Sequence, residues 1–299
     1  MDAMGSDVLV VGEALIDLVE SGSGTREIVG GSPANVAVGL ARLGVATQLL
    51  TRIGRDARGA QIAEHLASAG VRLQKASWVE ARTATARARI GADGAATYEF
   101  DLDWALERPV LDGIALVHAG SVALFAMPGA DAVVDTLEHA AHGGQLVTVD
   151  PNIRPALIGE RDAALRRFGR AAAAADLVRL SDEDAAWLYP GRQPEEVLTD
   201  IAARGPRLVV LTRGSRSTLA LGPEGIVESP VWATDVADTI GAGDAYMAAL
   251  IASALEDPLL FTSEAAVERA LRRAAVAAGI TVSRVGADPP TREELAAAL

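Results

Sequence analysis

The segment Asp238-Thr239-Ile240-Gly241-Ala242-Gly243-Asp244 leads straight into the apolar, alanine-rich run Ala245 to Leu255, which reads as a helix. The first N–H groups of a helix have no intrahelical acceptor and, together with the helix dipole, make a ready site for an anion. Gly241 and Gly243 permit the backbone conformations and the close approach that a nest of amides needs. Asp244 stands at the start of that helix, so its carboxylate shares the spot with the anion. Phosphoryl transfer needs this pair of features at one point: donors for the charge on the transferring group, and a base for the attacking hydroxyl. A bare Gly-x-Gly-Asp is better explained by helix capping, since aspartate near a helix start is favoured by the cap and by the dipole.

A second glycine-led run stands near the other end of the chain, Gly30-Gly31-Ser32-Pro33-Ala34-Asn35-Val36-Ala37-Val38-Gly39-Leu40-Ala41-Arg42-Leu43-Gly44. This run resembles the N-terminal signature of the ribokinase-like (PfkB) carbohydrate kinases. Asp-Thr-x-Gly-Ala-Gly-Asp resembles their C-terminal signature, with Ile240 where threonine is frequent. The resemblance extends over essentially the whole chain, with both signatures in order. It implies a three-layer α/β/α fold with a mostly parallel central sheet and a small β-lid, ATP as phosphoryl donor and Mg²⁺ as the working ion. Carried over by residue, it makes Asp244 the catalytic base and the amides of Gly241, Ala242 and Gly243 the anion hole. Asp17 in Gly12-Glu13-Ala14-Leu15-Ile16-Asp17, with Gly31 and Asn35, matches the sugar contacts. A carboxylate and an amide can accept from and donate to adjacent hydroxyls in fixed geometry.

Three further segments match family positions that meet the nucleotide or the ions. Ser181-Asp182-Glu183-Asp184 takes the place of an Asn-Glu-x-x-Glu-like segment, which makes Ser181 a nucleotide contact and Asp184 a partner of hydrated Mg²⁺. A solvated acidic helix start explains the same residues. Thr212-Arg213-Gly214 resembles the strand-end loop at the nucleotide, with Ser217 where glycine is common. Ser283-Arg284-Val285-Gly286-Ala287 lies where relatives bind a monovalent cation such as K⁺ through backbone carbonyls, so Asp238 and Arg284 are its candidate neighbours. Asp150-Pro151-Asn152-Ile153-Arg154-Pro155 follows an expected strand, which puts Arg154 at the carboxyl edge of the sheet, facing either a ligand or an ion pair with Asp150 or Glu160. That segment, Glu13 to Asp17, Ser32 to Asn35 and His118 to Ser121 are more similar to fructokinases than to ribokinases. Fructose is therefore the expected substrate, ahead of 2-keto-3-deoxygluconate and ribose. A sugar-binding regulator that has lost catalysis is the alternative from another class.

These residues need a scaffold, and the pattern supplies one. Short aliphatic runs at Asp7 to Gly12, Ala46 to Arg52, Ala115 to Ala119, Leu146 to Asp150, Asp176 to Leu180 and Leu208 to Thr212 read as strands. Helical patterns at Ala34 to Leu43, Arg58 to Ala69, Ala130 to His142, Asp162 to Ala174 and Pro194 to Arg204 lie between them, as in a mostly parallel sheet covered by helices. Residues 13–30 and 83–103 break the rhythm with short alternating segments around glycines, including a turn at Gly91 to Gly94. We expect one domain over residues 1–299, with these two insertions forming the β-lid. The exposed strand edges of such a lid are a candidate surface for a homodimer.

Composition removes other classes. The formal charge of −13 argues against a nucleic-acid partner, which would need cations to neutralise phosphates. With no cysteine there is no disulfide and no thiol nucleophile, and a reducing, cytoplasmic setting is expected. Met1 to Asp7 shows no signal-peptide pattern, and the longest uncharged run, Gly113 to Ala130, holds His118 and Pro128 and is a poor membrane span. A Walker-type phosphate loop and a dinucleotide fingerprint are both missing. His65, His139 and His142 fall on helical surfaces, His118 falls at a strand end where it could line a pocket, and no histidine pair has metal-ligand spacing.

Overall fold

Along the strand Asp7–Val11 successive side chains enter different cores, Val8 and Val10 one of them, Leu9 and Val11 the other. The strand Leu208–Thr212 does the same, with Leu208 and Val210 opposed to Val209 and Leu211. Strands apolar on both faces must lie inside a sheet that is covered on both sides. The computed structural model describes residues 7–21, 24–90 and 96–299 and bears this out. Nine strands form the main sheet in the order Gly225–Pro230, Ser217–Gly222, Leu208–Thr212, Leu177–Ser181, Leu146–Asp150, Ile114–Gly120, Asp7–Val11, Thr47–Leu50, Arg72–Leu73. All pairings are parallel except the two that join the first three strands of that order.

Helices Ser32–Arg42, Ala57–Ser68, Ala242–Glu256 and Glu264–Val282 cover one face, and Gly129–Gly143, Arg161–Ala174, Asp182–Leu188 and Pro194–Ala202 the other. The expected strands and helices are present with shifted ends. Ala46 to Arg52 contracts to Thr47–Leu50 because the Thr51 amide donates to the Ser77 hydroxyl instead of continuing the ladder. Several elements had no counterpart in the sequence reading, among them the strand Arg72–Leu73, the helix Arg292–Ala298 and the two described next. The hairpin Ser217–Gly222 and Gly225–Pro230 turns on Pro223-Glu224, which lacks the Asn-Gly or Asp-Gly signal. The helix Glu264–Val282 ends in Gly-Ile-Thr-Val, poor helix formers that are held by packing on Ala242–Glu256.

The glycine-interrupted segments meet in a separate sheet, Gly24–Gly30, Leu15–Ser21, Thr85–Ile90, Ala96–Asp101, in that order. The expected turn at Gly91 to Gly94 and residues 1–6 lie outside the described residues. From Asp7–Val11 the chain passes to Thr47–Leu50 on one side and later to Ile114–Gly120 on the other. That reversal opens a crevice at the carboxyl ends of the strands, where ligands of open α/β sheets bind. Leu15–Ser21 departs from the same edge, which brings the small sheet to the crevice.

One packing detail positions the chemistry. A Cβ at Gly39 would lie 2.8 Å from the Ala248 Cβ, so the Ser32–Arg42 and Ala242–Glu256 helices cross closely there. One helical turn earlier on each helix stand Asn35 and Asp244.

Candidate active site

The Ala242–Glu256 helix begins at Gly241, which caps it in the left-handed region at φ 77°, with a Cβ there 2.6 Å from that of Ala287. Both facts restrict the position to glycine. The Ala242 amide reaches the Thr239 carbonyl at 3.4 Å, a long turn bond. The amides of Gly241, Gly243 and Asp244 find no acceptor among the described residues. The expected anion nest therefore has three free donors, with Ala242 partly engaged.

The Asp244 carboxylate is held from the start of the Ser32–Arg42 helix. Ser32 Oγ donates to Oδ1 at 2.6 Å and Asn35 Nδ2 to Oδ2 at 2.8 Å. Burial pushes the Asp244 carboxyl above its ordinary range, and the bonds from Ser32 and Asn35 and the charges of Arg179 and Arg154 oppose that rise. A half-buried carboxylate with raised affinity for a proton, beside free amides, is equipped to take a proton from a hydroxyl. Ser32 was not singled out in the sequence. Its signal was a hydroxyl in the first turn of the helix whose Asn35 was already selected.

Asp17 lies in Leu15–Ser21 with its carboxylate against Gly30, where any Cβ would collide with Oδ2. Its carboxyl is raised to about 6 by burial, against the charge of Arg154. Next to Gly30, Gly31 takes φ 106° and a Cβ there would sit 2.5 Å from the Glu13 carbonyl oxygen. Arg154 is exposed, donates to the Ile153 carbonyl at 3.1 Å, and pairs with neither Asp150 nor Glu160. Its charge instead bears on Glu13, Asp17 and Asp244, so Arg154, Asp17 and Asp244 stand near one another, and Asn35 joins them through its bond to Asp244 and Gly31 through its packing on Glu13. His118 does not: it is 1 % exposed inside the sheet, its Nδ1 3.0 Å from the Thr148 hydroxyl, and burial lowers it to about 3.

Beneath the crevice Glu13 is 3 % exposed and accepts from the Ala123 amide at 3.3 Å. Burial raises it from 4.5 to about 7, more than its bonds from Ser121 and Ala123 lower it. A carboxyl that binds its proton more tightly folded than unfolded stabilises the protein at low pH and loses that contribution as pH rises from 4.5 to about 7. Glu13→Gln should flatten stability across this window by on the order of 3 kcal/mol, read from urea melts on both sides of it. A variant with the parent's pH slope would contradict this origin.

Asp184 is 4 % exposed and its oxygens accept from the Ile153 amide at 2.6 Å, the Ser181 amide at 2.8 Å and the Ser181 hydroxyl at 2.7 Å. Ser181 and Asp184 thus form the capping box of Asp182–Leu188 and tie it to the Asp150 to Pro155 loop. Asp184→Ala would orphan buried donors and should cost about 2–4 kcal/mol in denaturant melts. Undiminished stability with a lost response to divalent ions would instead favour a purely metal-directed role. Asp182 pairs with Arg216 at 2.7 Å. Gly214 is exposed at the turn after Leu208–Thr212. Asp238 Oδ2 accepts from the Gly286 amide at 2.9 Å, and Arg284 turns its guanidinium to Asp288 and Glu294. Among the described residues no cluster of three histidines or carboxylates is suited to cage a metal.

Arg179, like Ser32, is a residue that sequence reasoning missed. In the apolar strand Leu177–Ser181 it is 8 % exposed, donating to Asp150 Oδ2 at 2.9 Å and to the Thr212 hydroxyl at 2.6 Å. Its signal was a lone charge at a position where a sheet buried on both faces calls for an aliphatic side chain.

Residues 6–294 match the pfkB family carbohydrate kinases. A fructokinase of Klebsiella pneumoniae is 32 % identical over 263 residues, covering 83 % of this chain and 84 % of the relative. Fructokinase-1 of Oryza sativa subsp. japonica is 30 % identical over 314 residues, covering 97 % of each. The crystal structure of fructokinase from Vibrio cholerae O395, in its fructose, ADP and calcium ion bound form, matches with a TM-score of 0.85 at 26 % identity, covering 100 % of each chain. The helix-start amides with their acidic neighbour, the crevice at the strand ends and these matches agree: this chain belongs to the pfkB family of carbohydrate kinases.

Proposed function

We propose that this kinase transfers the γ-phosphate of ATP to the primary hydroxyl of fructose. The observation that carries the reading is the Asp244 carboxylate, clamped by Ser32 and Asn35 beside the unpaired amides of Gly241 and Gly243. Fructose is supported by the relatives named fructokinase and by the Vibrio cholerae structure with fructose and ADP. Sugar hydroxyls would be oriented by Asp17, the backbone at Gly31 and the free oxygen of Asn35. Asp244 takes the proton from the attacking hydroxyl, and the helix-start amides hold the equatorial oxygens of the transferring group. Thr212 and Gly214 line the approach of the nucleotide. The small sheet acts as a lid that keeps water from the site.

Both Asp184 oxygens already accept protein donors, so Asp184 is suited to meet Mg²⁺ through water and not directly. Such an ion would be held through water and the nucleotide's own phosphates, and no step here runs through it. A monovalent cation such as K⁺ would sit among backbone carbonyls near Asp238 and Arg284. The outer strands of the small sheet, Gly24–Gly30 and Ala96–Asp101, are the proposed homodimer surface, which light scattering would test. We assign the enzyme to the cytoplasm on its lack of cysteine. Among the described residues no helix is long and apolar enough to cross a membrane.

Coupled ADP release over fructose, 2-keto-3-deoxygluconate, ribose, tagatose and adenosine tests the reading, with the highest kcat/KM expected for fructose. Arg154, with no ion pair among the described residues, favours 2-keto-3-deoxygluconate as the second reading, because a sugar carboxylate would find its partner there. ADP release with none of these sugars would leave a binding protein on a kinase fold.

A further inference from the structure

The helix that carries Asp244 is supported from below by one cation. A Cβ on Gly243 would lie 3.0 Å from both Nη1 and Nη2 of Arg179 and 3.3 Å from Cζ, so the guanidinium rests directly against the second residue of the helix. The same guanidinium spans two strand ends, bonding Asp150 on one neighbour and Thr212 on the other. Its charge bears on Asp150, Asp184 and Asp244. Its Nε is buried and has no acceptor. A buried ion pair with an orphaned donor is a poor device for stability, since apolar side chains of similar volume serve as well or better. What the arrangement does supply is a rigid, two-point mount for one positive charge under the residue that precedes the base.

We propose that Arg179 is a positioning residue for phosphoryl transfer: pinned between Asp150 and Thr212, it fixes the start of the Ala242–Glu256 helix so that the free amides and Asp244 meet the transferring group and the attacking hydroxyl together. The proposal rests on the reading of Asp244 as base. Arginine is suited to the task because its planar fork is held at both Nη groups while the same two nitrogens stand closest to where a Gly243 side chain would begin. It also explains why glycine stands at 243, where any side chain would push the guanidinium away. Misplacing a reacting group by about an ångström costs on the order of 10²-fold in rate.

The test compares R179M, R179K and the double variant D150N/R179M in steady-state kinetics with fructose and ATP, with thermal melts alongside. R179M should lose on the order of 10²-fold in kcat with the KM for fructose little changed, because the sugar contacts lie elsewhere. R179K keeps the charge without the two-point mount and should recover part of that loss. R179M strands Asp150 and can fail to fold for that reason. The double variant removes both charges, so it should melt near the parent temperature and still turn over about 10²-fold more slowly. Parental kcat in the double variant or in R179K, or a loss in R179M confined to KM, would overturn the proposal. Asp244→Asn assayed in parallel separates the two readings. An active Asp244→Asn defeats the base assignment, whereas an inactive one beside an active D150N/R179M defeats only the role of Arg179.

Discussion

Asp244→Asn should give a folded protein whose kcat for sugar phosphorylation is lower by on the order of 10² to 10⁴-fold, with sugar and ATP still bound. Fold should survive because burial already disfavours the charge being removed, and the new amide oxygen can still accept the hydroxyl proton of Ser32. The Asn35 side chain loses an acceptor and can turn its own amide to meet the new one, a rearrangement worth about 1 kcal/mol. Turnover should fall because an amide cannot take a proton from the attacking hydroxyl. The residual rate reports what the helix-start amides and substrate alignment contribute alone. Since burial raises the Asp244 carboxyl, the acidic limb of kcat should lie above the ordinary carboxylate range in the parent and vanish in the variant. Turnover within a few-fold of the parent would show that the proton goes elsewhere.

Gly31→Ala should produce the second large effect, through geometry instead of charge. The backbone at 31 takes φ 106°, which L side chains rarely adopt, and the added Cβ would approach the Glu13 carbonyl oxygen at 2.5 Å. Both the turn and the neighbouring Glu13 to Asp17 segment would have to move, at a cost of about 1–3 kcal/mol for the strained conformation alone. Ser32 and Asn35 follow within one turn, so the clamp on Asp244 moves with it. We expect a lower melting temperature and a loss on the order of 10²-fold in kcat/KM, with both the sugar KM and kcat affected. An unchanged sugar KM would mean that Gly31 does not shape the sugar crevice.

The parts legible in the sequence were those governed by local rules. Continuous aliphatic runs gave away the parallel strands because a strand buried on both faces has no room for polar residues, and Gly241 and Gly243 announced a helix start that leaves amides free. What escaped was tertiary. Ser32 meets Asp244 across 212 residues of chain, and nothing at either position declares the contact. Arg179 breaks an apolar strand, yet only the assembled sheet shows Asp150 and Thr212 on its two sides. Asn35 read as a sugar contact from the family resemblance, while the packed helices show one Nδ2 hydrogen committed to Asp244, which leaves its oxygen and second Nδ2 hydrogen for a ligand. Asp184 is the opposite case: an acidic residue three positions after a serine is a capping box by local rules, and the structure has that bond pattern in full.

A crystal structure with fructose and a non-hydrolysable ATP analogue is the most direct test. It should place the primary hydroxyl about 2.6–3.2 Å from a carboxylate oxygen of Asp244, with the terminal phosphate on the amides of Gly241 and Gly243. A sugar seated with no hydroxyl in reach of Asp244, or a terminal phosphate held away from that helix start, would contradict it.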